Sequence, residues 1–317
     1  MDSAVSATTR AMELAQRHGR RVLLAHTSAA EEVELLIRPV LLYGRYVKRS
    51  RALPQTRAMW WCPACRERPK PRGCEVCGFT GRQHPVSLED LVVDPCARAL
   101  LGVRVESHLH GMGREDVDVQ CLGGGRPFVV EIRDPRRRRV DVAALAREIE
   151  AGSSGRVELP IGLRYVDGAL VARVKGWRAP KVYRVVAQAA PGAAPLDPAR
   201  VAELPARLVG ATLAQRTPLR VARRRTDLVR PRRVLALEVV ASTSTTVELR
   251  VEAEAGTYIK ELVSGDAGRT TPSLSELLGV ACTCVELDVI EIRADDVALL
   301  EGAPVAAVAG SDDDEGD

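Results

Sequence analysis

Aromatic side chains are scarce: two Phe, three Trp and five Tyr make up 3% of 317 residues. So little ring surface argues against a sequence-tolerant single-strand binder, which stacks successive bases on aromatics. It also makes each tyrosine conspicuous. Lysine is scarce too, five of 46 basic residues. Arginine is therefore abundant everywhere, and an Arg cluster alone carries little weight. No apolar run reaches the roughly 18 residues of a membrane span, and the first residues lack an apolar signal segment. A cytoplasmic protein with no membrane partner is expected. There is no P-loop and no strand-borne GxGxxG, since Gly123 to Gly125 reads as a hairpin turn. No nucleotide cofactor is expected. No internal repeat is visible, and the one linker-like stretch is Ala189 to Pro198.

What is present fits a chain longer than one typical domain. The net charge of +4 includes an acidic tail, Asp312, Asp313, Asp314, Glu315 and Asp317, that reads as disordered. Without those five acids the body carries about +9, with basic runs at Arg136 to Arg139 and Arg223 to Arg225.

Eight cysteines form two groups. Cys62, Cys65, Cys74 and Cys77 give C-x2-C-x8-C-x2-C, which puts four thiolates on two facing knuckle turns, as tetrahedral zinc requires. With all four ligands from protein there is no open position, so the zinc is read as structural. Cys96, Cys121, Cys282 and Cys284 have no ligand spacing and read as buried or incidental thiols. His108 and His110 share a strand face without a third ligand and read as structural.

Three segments carry candidate chemistry. GREDVDV places Asp116 two residues after Arg114, where a glycine-bounded turn feeds a strand predicted over 116–122. A carboxylate beside a fixed guanidinium is one kept ionised, as a nucleophile must be. Asp118 is the competitor on the same strand face. KVYR, Lys181 to Arg184, opens a strand bearing Tyr183. EAGTYIKEL ends a strand at Gly256 and starts a helix with Thr257 as N-cap, placing Tyr258 and Leu262 one turn apart. Each residue singly also admits a structural role: a surface Asp, a half-buried strand tyrosine, a core leucine or a solvated lysine.

Elements are predicted as strands at 103–108, 127–133, 154–162, 181–188, 230–241, 245–253 and 285–293. Helices are predicted at 87–101, 140–151, 198–208, 257–264 and 273–278. Strands outnumber helices and several pairs are hairpin-like, which predicts an α+β domain on a mixed, mainly antiparallel sheet.

The turn Asp after Arg, the Lys-x-Tyr strand and the GTYIKxL turn, in that order, resemble the three motifs of pseudouridine synthases. The blocks GRYVK (44–48), LPQT (53–56), GREDVDV, GRPFVVEI, QRTPLRV (215–221) and AGTYIKELVSGDAGRTTPSLSELLG resemble the archaeal and eukaryotic Pus-ten type. That family comprises tRNA pseudouridine synthases that modify the T loop at position 54 and/or 55. The resemblance implies the pseudouridine synthase fold, a bent sheet with a central cleft, over residues 35–300, with the zinc knuckle as an insert at 60–82 and the acidic tail at 301–317. It implies that residues 1–34 are what is left of a THUMP-like accessory region. It further implies Asp116 as nucleophile, Arg114 and Lys260 holding it ionised, Tyr183 stacked on the target base, and Tyr258 and Leu262 against the nucleotide. The partner is tRNA, bound by a monomer, and catalysis needs no cofactor. Phosphate contacts are assigned to Arg45, Lys48, Arg216, Arg223, Arg224 and Arg225. The alternative is a non-catalytic zinc-knuckle RNA binder or tRNA chaperone.

Overall fold

The computed structural model describes residues 37–57, 62–65, 74–77, 79, 81–222 and 225–301. Residues 1–34, expected to be what is left of an accessory region, and the acidic tail from 302 lie outside these residues, as do Arg223 and Arg224. Among the described residues no helix is long and apolar enough to cross a membrane. The chain divides into two units, one of residues 1–167 with 287–291 and one of residues 168–286 with 292–317.

In the first unit, strand β1 (Val40–Lys48, VLLYGRYVK) is buried at every position. A run rich in apolar and aromatic residues is what a strand covered on both faces requires, and here Arg45 and Lys48 are buried along with it. Helix α1 (Leu88–Leu100) is opened by a capping box in which Ser87 accepts from the Asp90 N–H and Asp90 accepts from the Ser87 N–H. Leu88, Val92, Val93, Cys96 and Leu100 form its buried stripe. Strand β2 (Val103–Gly111) follows, then the 14-residue strand β3 (Gln120–Arg133). β1 runs antiparallel to β3, pairing Val40 with Ile132 and Gly44 with Phe128, with a register shift between Tyr46 and Lys48. β2 pairs with the other edge of β3. Helix α2 (Val142–Gly152) is capped by Asp141, and the short strands β4 (Val157–Glu158) and β5 (Leu163–Val166) close the free edge of β1. Residues 288 and 289, returning from late in the chain, pair in parallel with Gln120 and Cys121.

The second unit begins with helix α3 (Ala169–Gly176), strand β6 (Lys181–Ala189), helix α4 (Pro198–Leu208) and strand β7 (Thr212–Arg216). The hairpin of β8 (Val229–Ser242) and β9 (Thr246–Ala253) comes next. Helix α5 (Ile259–Ser264), strand β10 (Thr270–Thr271), helix α6 (Leu274–Leu278), strand β11 (Cys282–Ile292) and helix α7 (Asp296–Glu301) complete the order. Strands β10, β7, β8, β9 and β6 are neighbours in that sequence, all antiparallel. In β9 the period-two pattern buries Val247, Leu249, Val251 and Ala253. Asp197 caps α4 and Pro198 occupies its first turn, where no N–H is needed.

The α+β, mainly antiparallel character agrees with the sequence, and four local expectations are corrected. Residues 116–119 form a turn, closed by the Val119 N–H on the Asp116 carbonyl at 3.1 Å, and not a strand. Gly123 to Gly125 lie inside β3 and not in a hairpin turn. Of the strand expected over 154–162 only Val157–Glu158 forms, and β5 starts after it at Leu163, following a left-handed Gly162. Helix α5 is capped at Tyr258 because Thr257 instead donates its hydroxyl to the Glu254 carbonyl at 2.8 Å.

Gly123 shows why a strand can run through glycines. Its φ is +59°, and a Cβ there would stand 2.2 Å from the Ile290 carbonyl oxygen. Only a residue without a side chain allows the returning segment to approach so closely. Gly123→Ala is expected to lower stability by about 1–3 kcal/mol, measured by urea unfolding. Gly124→Ala, whose Cβ meets nothing within 4 Å, is expected to change it by less than about 0.5 kcal/mol.

Candidate active site

The loop bearing Asp116 has no regular secondary structure between β2 and β3, so its carbonyls need partners from elsewhere. They find them in a buried polar cluster. The Lys48 ammonium donates to the carbonyls of Leu53 (2.8 Å), Asp116 (3.1 Å) and Val117 (3.0 Å). The Gln55 amide donates to the Gly113 carbonyl (3.0 Å) and to the Tyr46 hydroxyl oxygen (2.6 Å). Tyr46 donates in turn to the Glu115 carboxylate, whose oxygens lie 3.0 and 3.1 Å away. Arg126 Nε lies 2.9 Å from Glu115 Oε2, and both side chains are fully buried. Arg126 Nη1 donates to the Met112 carbonyl at 2.7 Å. Burial, followed by the Glu115 charge, pushes the Tyr46 hydroxyl well above its usual pKa, so it remains a donor. Burial also lowers the Lys48 pKa. Within this loop Arg114 is exposed, Glu115 buried, Asp116 half-buried and Asp118 exposed.

This geometry corrects two assignments. Lys48 is fully buried with its three N–H groups on carbonyls, so it does not offer its charge to a phosphate. Arg45 is 8% exposed and donates from Nε to the Gly125 carbonyl at 3.3 Å. A cation must reach solvent to meet a phosphate, and β1 buries both.

In the second unit, Gln215 (1% exposed) clamps the start of α5. Its carbonyl oxygen accepts from the Tyr258 N–H at 2.9 Å and its amide donates to the Tyr258 carbonyl at 3.0 Å. This fixes the backbone of Tyr258 while the side chain stays half-buried. The Arg220 guanidinium lies 6.0 Å over the Tyr258 ring, and Arg225 Nη1 is 3.5 Å from its hydroxyl. Arg216 is exposed and ion-paired with Asp227 at 2.6 Å. Lys260 is half-buried on the first turn of α5. Leu262 has no exposed surface, so its part is core packing and the expected nucleotide contact is corrected. Tyr183, the third residue of β6, is 7% exposed, which leaves little of its surface for a ligand.

The sequence reading gave no role to Tyr46, Gln55, Glu115, Arg126 or Gln215. All five stand in the short blocks that carry the family resemblance, and polar residues inside otherwise apolar strands were the available signal.

The four knuckle cysteines converge. Their Sγ atoms lie 3.8 Å (Cys65 to Cys77), 3.9 Å (Cys74 to Cys77) and 4.0 Å (Cys62 to Cys74) apart. Zinc–sulfur bonds of about 2.3 Å set tetrahedral sulfurs about 3.8 Å apart, so the set fits zinc. The Cys74 and Gly81 N–H groups donate to Cys77 Sγ at 3.1 and 3.2 Å. The bond from Cys74, with that from Gly81, holds the Cys77 thiol down at about 6. Of the remaining cysteines, Cys96, Cys121 and Cys282 are buried and Cys284 is partly so. His110 Nε2 meets Glu131 at 2.8 Å and His108 is exposed, consistent with structural roles. The purified protein is expected to hold one zinc ion per chain by metal analysis. Cys74→Ser should lose it while the circular dichroism of the rest of the chain is kept.

A family model described as Pus10, C-terminal matches residues 41–293. The tRNA pseudouridine synthase Pus10 of Methanothrix thermoacetophila is 43% identical over 260 residues, covering 82% of this chain and 55% of that protein. That of Archaeoglobus fulgidus is 44% identical over 261 residues, 82% of this chain and 68% of its own. That of Methanocaldococcus jannaschii is 40% identical over 273 residues, 86% and 56%. The chain thus spans between 55% and 68% of the length of these relatives. A solved "Crystal Structure of a Cbf5-Nop10-Gar1 Complex" covers 80% of this chain and 60% of its own at 17% identity and a TM-score of 0.37, a likeness on which nothing here rests. The family match extends across both units and contains the Asp116 loop, the zinc knuckle and the clamped Tyr258, and the chain belongs to the Pus10 C-terminal family.

Proposed function

We propose that this chain isomerises uridine to pseudouridine in the T loop of tRNA, at position 54 and/or 55, with Asp116 as nucleophile. The observation that carries the reading is the Asp116 loop: a half-exposed carboxylate on backbone held by Lys48 and flanked by the fully buried Glu115. The relatives' names support the substrate class.

The reaction breaks the bond from uracil N1 to the ribose, turns the base, and rejoins it through C5. The proton lost from C5 is balanced by one gained at N1, so no redox partner, nucleotide or hydrolytic water is consumed. An ionised carboxylate suffices as nucleophile. Arg114, two residues before it, supplies positive charge. Lys260 is assigned to the same task, and Tyr258 and the Tyr183 hydroxyl to the substrate. The zinc shapes the knuckle and takes no part in the chemistry.

Extruding a base from a folded loop costs a few kcal/mol, about what several phosphate contacts return. Arg216 and Arg225 are the described cations assigned to that task, with Arg223 and Arg224 beside them in sequence. The partner is tRNA, bound by one copy of the chain.

Tritium release from tRNA labelled at uracil C5 tests the reading. The unaltered chain should release tritium, and Asp116→Asn should release none while its tRNA affinity stays within a few fold, because reactivity and not shape is lost. Equal release by both would eliminate Asp116 as nucleophile. Binding without release by either would favour a non-catalytic RNA binder.

A further inference from the structure

We propose that Tyr46, Lys48, Glu115 and Arg126 are positioning residues for Asp116, a buried frame that sets where its carboxylate points; this rests on the reading of Asp116 as the nucleophile. None of the four can itself meet a substrate. Tyr46, Lys48 and Arg126 have no exposed surface, and the Glu115 side chain is likewise covered.

The frame acts on the loop from both ends. Upstream of the carboxylate, Arg126 holds the Met112 carbonyl and Gln55 holds that of Gly113. Downstream, the Lys48 ammonium draws the Asp116 and Val117 carbonyls onto one point, 3.1 and 3.0 Å away. Orienting those carbonyls fixes the peptide planes that follow residues 116 and 117. Main-chain bonds alone hold a strand, whereas this segment is a turn closed by the Val119 N–H on the Asp116 carbonyl.

Glu115 completes the frame from the adjacent position. With Glu115 drawn inward by Arg126 at 2.9 Å and by Tyr46 at 3.0 Å, the residue immediately before Asp116 is anchored in the interior. Burying three ionised groups to hold a surface loop is a poor way to gain stability, because apolar residues of the same volume pack as well without the desolvation cost. What an apolar core would not supply is a donor for each loop carbonyl. Displacing a reacting group by about 1 Å costs on the order of 100-fold in rate, which is the quantity such a frame protects.

Single-turnover tritium release with enzyme in excess separates positioning from folding. The amplitude reports the competent fraction of molecules, and the rate constant reports how those molecules react. Lys48→Met keeps the volume and removes the donor; Tyr46→Phe removes one hydroxyl. Both are compared with the unaltered chain and with Asp116→Asn. The expected result is a rate constant lowered about 100-fold in Lys48→Met and about tenfold in Tyr46→Phe, with tRNA affinity within threefold. A merely structural role would lower amplitude and leave the rate constant unmoved, and that result would overturn the proposal. If Lys48→Met does not fold, Tyr46→Phe decides by the same criterion. Full turnover by Asp116→Asn would remove the premise itself, and that variant alone distinguishes this failure from one of the frame.

Discussion

A lysine and an arginine buried without exposure beside a buried glutamate are the constraint on which the first unit depends. Each ion loses several kcal/mol of hydration on burial, and removing one partner of such a pair costs about 3–5 kcal/mol because the other is left uncompensated. The structure offsets this by hydrogen bonding, most fully at Lys48 and Gln55. Lys48 places its three N–H groups on three carbonyls, and the Gln55 amide uses one N–H on a carbonyl and the other on Tyr46. A network of this kind tolerates few partial versions of itself, since any lost member strands the next. The backbone from Met112 to Val117 therefore inherits the rigidity of the sheet below it.

The second unit solves a similar problem with neutral groups. Gln215 holds both backbone polar atoms of Tyr258, so α5 starts at a fixed place although it has no side-chain cap of its own. Around it the cations are only loosely committed. Arg216 and Asp227 are each about half exposed, and exposed pairs of this kind contribute about 0–1 kcal/mol. A phosphate can compete with such a partner, whereas it could not compete for Lys48. Burial, more than the presence of charge, separates the cations that build this protein from those available to a ligand.

That distinction marks the limit of what the sequence disclosed. Strand β9 was legible from TVELRVEA alone, α4 from its Asp-Pro start, and the knuckle from its spacing. The place of Lys48 was not, because period-two reading assigns a face and cannot reveal that both faces of β1 are covered. The VLLYGRYV run around it held that information. Glycine was misread for a related reason. Taken as a strand breaker, Gly123 looked like a turn, while its actual requirement is the close carbonyl of a segment more than 160 residues away. Thr257 was a sound N-cap candidate whose hydroxyl found a nearer acceptor. For Thr257 the missing information lay three residues away, and for Gly123 it was a neighbour distant in sequence.

That distant neighbour also bears on how the protein is made. Residues 287–291 belong to the first unit, whose other members end at residue 167. During synthesis, which proceeds from the N-terminus, the lower end of β3 waits with an unpaired edge until residues 168–286 of the second unit have emerged. The carbonyl that seats against Gly123 arrives last. Completion of the unit that carries Asp116 is thus tied to prior emergence of the intervening residues 168–286.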